Sequence, residues 1–114
     1  MSLDSLINSN TLTLQRQATA LDSSGGKANT YSDLAANVGA FIQDAKAETK
    51  KNYATDNIVV TSMIITFEGR GRANDRWLDS DGVTVYLIKG VHTLRGIGGI
   101  ETYYVYDAQE KRLS

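Results

Sequence analysis

The chain contains no cysteine and no proline. The first absence excludes disulfides, thiol nucleophiles and cysteine-ligated metals. The second removes rigid turn corners and the proline blunting of strand edges, so a β fold must protect its edges in another way. Histidine is nearly absent too. His92 is the single one, after Gly90-Val91, and no second imidazole exists to complete a zinc site or a relay, so it reads as a structural or surface residue. No apolar run approaches the roughly 18–20 residues that span a bilayer, and residues 1–10 lack the basic start and apolar centre of a signal peptide. The expectation is an intracellular product with no membrane partner. Charge of one sign is missing as well: 12 Lys and Arg against 13 Asp and Glu leave a net charge of -1, so any contact with DNA must be local.

What is present suits one globular domain. With 114 residues, 41% hydrophobic and 22% charged, the chain is apolar enough to fold and too short to divide into two adequate cores. Residues 1–10 place Leu3, Leu6 and Ile7 at helical spacing, one turn of amphipathic helix suited to docking on a partner or on the domain. Leu12 and Leu14 then alternate with Thr11, Thr13 and Gln15, the period of a half-buried strand. Asp22, Ser23, Ser24, Gly25 and Gly26 form a turn cluster. Val38, Ala40 and Ile42 alternate within a second strand over residues 36–43.

Residues 44–57 are a long polar connection carrying Lys46, Glu48, Lys50, Lys51 and Asp56, with Tyr53 as its bulky anchor and helix-compatible sequence over residues 44–51. Residues 58–67 are β-branched on both faces, as in a central strand. Asp81-Gly82 separates Trp77-Leu78 from residues 83–88 as a tight hairpin requires. After a loop with Gly96, Gly98 and Gly99, residues 102–107 form a last strand, and residues 108–114 read as a polar tail. Five to six short antiparallel strands with a long inserted loop predict a small β-barrel or sandwich.

The chemical motifs are weak. Asp79-Ser80-Asp81-Gly82 has alternate carboxylates before a glycine but lacks the other ligands of a calcium loop, and reads as a turn. Gly69-Arg70-Gly71-Arg72 begins a dinucleotide fingerprint and fails at its third glycine. Asp44 and Glu48 share a helix face if that segment is helical, but the interleaved lysines mark a solvated face rather than an acid–base pair. Alternation divides Tyr103, Tyr104 and Tyr106 between two faces, so part of this strand is core rather than a base-stacking platform. No catalytic, cofactor-binding or metal set is expected. Two basic groups remain, Lys46, Lys50 and Lys51 in the long loop and Arg70, Arg72 and Arg76 before the hairpin. In a single subunit each is an ordinary solvated loop; in a closed ring, symmetry multiplies each into a collar able to meet phosphates.

Asp75-Arg76-Trp77-Leu78 followed by Asp81-Gly82 and the run Val83 to Val91 resembles the phage head-tail adaptor or stopper (head-closure) family. Leu12 to Gln17 is similar to that family's opening strand, and Tyr31 to Leu34 with Val38, Ala40 and Ile42 to its second. Gly39 departs from it where many members have tryptophan, and no proline follows Ile42. The resemblance implies a virion protein of a tailed bacteriophage, made in the host cytoplasm and placed in the neck. Its barrel would form a homo-oligomeric ring, with the portal or adaptor above, the tail or its terminator below, and double-stranded DNA in the channel. It also implies that residues 44–57 face that channel and help retain DNA. Alternatives are a tail completion or terminator subunit, and a nucleic-acid-binding barrel suggested by the arginine loop and the tyrosine strand.

Overall fold

The computed structural model describes residues 10–21, 27–94 and 102–113. The amphipathic turn expected in residues 1–9, the turn at residues 22–26 and the glycine loop at residues 96–99 lie outside them. Six strands, β1 (Asn10–Leu21), β2 (Lys27–Asp44), β3 (Ser62–Thr66), β4 (Arg76–Asp79), β5 (Thr84–Leu94) and β6 (Tyr103–Arg112), are all antiparallel to their neighbours. They close in the cyclic order β1-β2-β3-β6-β5-β4. Of the two architectures expected, the barrel is the one formed, and closure is how a proline-free sequence disposes of its edges.

The lumen is filled with side chains. Leu12 and Leu14 of β1, Ile64 of β3, Trp77 of β4, Ile88 of β5 and Tyr106 of β6 are all essentially inaccessible to solvent, with Ala40 and Ala108 making room for the rings. Trp77 and Tyr106 meet edge to face at 5.4 Å and 73°, the arrangement that their quadrupoles favour. The barrel interior is a packed core.

Long β2 turns the corner between two partners. It pairs with β1 as far as Asn10↔Ala40 and with β3 from Phe41↔Ile65. The register shifts between Leu12 and Gln15 of β1 leave two additional residues on β2. Asn37 sits there at φ 56°, one of the few residue types that tolerate the left-handed region in a bulge. At the other end the β1–β2 pairing outruns its neighbours. Contact with β4 stops at Gln15↔Arg76, whereas β1 and β2 stay registered to Leu21↔Lys27. A two-stranded ribbon therefore projects from the barrel, giving the molecule a 56 Å long axis against 33 and 24 Å.

Several boundaries differ from expectation. The strand expected over residues 58–67 is confined to Ser62–Thr66, because Ile58 to Thr61 lie before the ladder and Val59 is 56% exposed. The polar tail expected from Ala108 is instead the second half of β6: Ala108 is fully buried and pairs with Ser62 and Ile88. Asp44 is the last residue of β2 rather than part of a helix, so it does not share a helix face with Glu48. The helix in that connection, α1 (Ala47–Ala54), starts three residues later. The hairpin matches its expectation, with Gly82 at φ 77° in the turn between β4 and β5.

Candidate functional site

Helix α1 has no buried residue, and eight residues are too few for a helix to stand alone in water. Tyr53 anchors it. The Tyr53 hydroxyl donates a 2.8 Å hydrogen bond to Asp107 Oδ2, and His92 Nε2 lies 2.7 Å from the same oxygen. The Asp107 side chain is only 2% exposed and the His92 ring 59%, so the acid is the fixed member and the imidazole the accessible one. Burial and the adjacent carboxylate push the Tyr53 phenol up to about 12, which keeps it protonated as the donor.

Backbone geometry provides the space for this contact. Gly90 pairs with Asp107 just after the register shift at Lys89. A Cβ at Gly90 would collide with the Tyr53 hydroxyl, so the absent side chain of β5 is what admits the anchor of α1.

Beside this cluster lies a cavity of ≈ 560 Å³. Its lining includes the apolar side chains of Met63, Val105 and Leu94 together with Lys46 and His92. Sequence reasoning treated His92 as an isolated residue and missed the site. Its parts come from β5, β6 and α1, and the signals in the sequence were the glycine in a β-branched strand and the lone tyrosine in a polar segment.

The first basic group is collected on α1. Lys46, Lys50 and Lys51 are all exposed, and Lys50 sits one turn beyond Lys46, its N–H donating 3.0 Å to the Lys46 carbonyl. The second group is dispersed. Arg70 is held by Glu68, with Nη2–Oε1 at 2.7 Å. Arg76 donates to Gln15 Oε1 at 2.8 Å and stacks 3.6 Å from the centre of the Tyr31 ring, bracing the base of the ribbon. Among the described residues only Arg72 of the three has no side-chain ion pair or hydrogen bond, and its N–H caps Asp75, which also binds Arg16.

The remaining motifs are structural. Gly69 and Gly71 approach the Tyr104 and Tyr106 rings rather than a phosphate, and Tyr106 donates 2.6 Å to the Glu68 carbonyl while accepting from Gly71 N–H at 3.2 Å. Tyr106 is in the core and Tyr104 packs against it, so two of the three tyrosines of this strand serve the barrel. Asp81 accepts from Val83 N–H, Thr84 N–H and the Thr84 hydroxyl at 2.8, 2.8 and 2.7 Å, which stitches the turn. No group of three or more potential metal ligands occurs among the described residues, and no helix described is long and apolar enough to cross a membrane.

No protein-family model and no curated protein matches the chain. What the arrangement can do is therefore read from its own geometry: a rigid closed barrel presents three cations on a helix clipped to its wall, a ribbon at one side, and a partly apolar cavity beneath the helix.

Proposed function

We propose that the protein is a structural subunit of a phage head-tail connector, assembling as a ring that joins head to tail and helps retain packaged DNA. The observation that carries this reading is α1: Lys46, which caps it, and Lys50 and Lys51 within it stand exposed on an element held to the barrel by the half-buried Tyr53–Asp107 hydrogen bond. In one subunit three lysines against Glu48 are a modest charge. Repeated around a ring they form a continuous basic collar, and salt-sensitive contact with phosphates grows with the number of cations engaged. The packed lumen supports the same reading, because a DNA passage then has to lie between subunits rather than within one.

The test is negative-stain imaging and native mass of the purified chain, alone and with portal-containing heads. A ring at the portal vertex is the expected result. Monomers that ignore the heads and bind isolated tails place the protein on the tail side, and monomers that bind neither overturn the reading.

A further inference from the structure

The connection from β3 to β4 is pinned where it meets β4. Asn74 N–H donates 3.1 Å to the Ile88 carbonyl, Ile88 N–H returns 2.9 Å to the Asp75 carbonyl, and Asp75 N–H closes on the Arg72 carbonyl at 3.0 Å. Between this turn and β1 lies a recess of ≈ 310 Å³, lined by Arg16, Gln17, Arg72, Ala73, Asn74 and Asp75. Its one carboxylate is saturated. Asp75 Oδ1 accepts from Arg16 Nε at 3.1 Å, and Oδ2 accepts from Arg16 Nη2 at 2.9 Å and from Arg72 N–H at 3.0 Å. Arg16 Nη2 gives its other proton to the Arg70 carbonyl at 3.1 Å. The donors of the recess are not saturated. Arg16 Nη1, the Arg72 guanidinium and the side-chain amides of Gln17 and Asn74 have no hydrogen-bond partner among the described residues. Arg16 and Asp75 cancel in charge, and Asp75 is only 3% exposed, so the recess carries the single net positive charge of Arg72.

We infer that this recess binds a phosphate group. A set of free donors around a neutralised carboxylate, with one cation in excess, is complementary to an anion that offers only acceptors. Guanidinium forks match the oxygens of a phosphate in geometry as well as charge, and the several oxygens of a tetrahedral phosphate reach two guanidinium groups and an amide at once. The backbone ties and the Arg16–Asp75 pair hold the donors in place before the anion arrives, so little ordering is required on binding. The volume leaves room for the group that the phosphate is attached to, whether the sugar of a small phosphorylated molecule or the next sugar of a DNA strand. The site is complete in one subunit and goes beyond the ring reading. In the cyclic order β1 is three strands from β6 in either direction, and β6 is the strand to which α1 is clamped, so the recess and the lysines of α1 are separate features.

The test is a nitrogen-15 NMR titration of the full chain with inorganic phosphate, against chloride at matched ionic strength. The Nε–Hε signals of Arg16 and Arg72 and the backbone N–H of Ala73 are expected to move along one saturable isotherm, while that of Arg70, held by Glu68, stays in place. Arg72→Gln weakens binding about tenfold or more and leaves the fold intact, because that side chain makes no hydrogen bond or ion pair among the described residues. Asn74→Gly removes the amide at a position whose φ of 77° suits glycine and also weakens binding. Replacing Lys46, Lys50 and Lys51 by Gln leaves the isotherm unchanged. Repeating the titration with a deoxynucleoside 5′-monophosphate and with a short DNA duplex separates the sources: tighter binding of the duplex, lost with Arg72→Gln, assigns the site to the DNA backbone, and tighter binding of the monophosphate assigns it to a small phosphorylated ligand. Shifts that never saturate, an isotherm in Arg72→Gln equal to that of the parent, or loss of binding in the lysine variant alone overturn the site. None of these results bears on the ring, which the imaging experiment decides.

Discussion

The clamp on α1 leads to a quantitative prediction. Gly90→Ala places a methyl group where the Tyr53 hydroxyl sits, so the tyrosine must withdraw and the 2.8 Å hydrogen bond to Asp107 is lost. A hydrogen bond to a charged group contributes about 1.5–3 kcal/mol. Because α1 has no fully buried residue, most of that loss falls on local opening of the helix rather than on the barrel. Taking about 2 kcal/mol, the open population of α1 rises about 30-fold, at 1.4 kcal/mol per factor of ten. Amide hydrogen exchange reads this directly: the exchange of residues 50–54 accelerates by that factor, while β3, β5 and β6 keep their protection. Tyr53→Phe removes the same hydroxyl without the added methyl and produces a similar acceleration. Unchanged exchange in α1, or an equal loss of protection in α1 and the strands, refutes the reasoning, since the helix would then be held by other contacts or be inseparable from the barrel.

Four further outcomes follow from the same structure. Replacing Lys46, Lys50 and Lys51 together by Gln leaves the urea midpoint within error and causes genome leakage from assembled heads, measured as nuclease-sensitive DNA; full retention counts against the channel-facing role. Trp77→Ala, emptying the largest fully buried side-chain site, costs about 3–5 kcal/mol in urea unfolding, and a cost under about 1 kcal/mol means the barrel repacks. The phenols of Tyr53, Tyr86 and Tyr106 are pushed up to about 12, chiefly by burial. The folded state thus favours their neutral form, and their contribution is complete below the unfolded value near 10 and is lost as pH rises through about 12; midpoints recorded from pH 9 to 12 must fall. Asp81 is held below the usual carboxylate range, first by Thr84 N–H, then by the Thr84 hydroxyl and Val83 N–H. Its contribution is present above the unfolded value near 3.9 and disappears as pH falls through the lower folded value, so Asp81→Ala has less acid sensitivity than the parent over that window.

Strand period and turn chemistry made much of the barrel legible. Leu12 and Leu14 alternate with polar residues because one face of β1 looks into the lumen and the other outward, and Asp81-Gly82 marks a turn that only a left-handed residue closes easily. The errors have physical causes. Residues 58–61 are as β-branched as those that follow, but propensity alone does not make a ladder: Ile58 N–H is taken by the Tyr53 carbonyl, and regular pairing begins only at Ser62. Residues 109–112 are polar in succession, which resembles a tail, but they pair with Thr84 to Leu87 of β5, and Ala108 before them is held between β3 and β5. The site was the least legible part. Tyr53, His92 and Asp107 are brought together by two strand pairings and a connection, so no local window contains the cluster, and Gly90 signals it only by being unexpected in a strand.

The cyclic strand order also dictates when the molecule can be finished. Among the described strands β6 is made after the other five, yet it sits between β3 and β5 and joins them. Until residues through Arg112 have left the ribosome, the nascent chain holds two unpaired strand edges, a half-open lumen and no Asp107 to receive Tyr53. Closure therefore waits for β6 and joins strands far apart in sequence, a slow class of topology. The basic helix gains its fixed orientation only in the same step, so a subunit able to present its lysines in order is one whose translation has already reached β6.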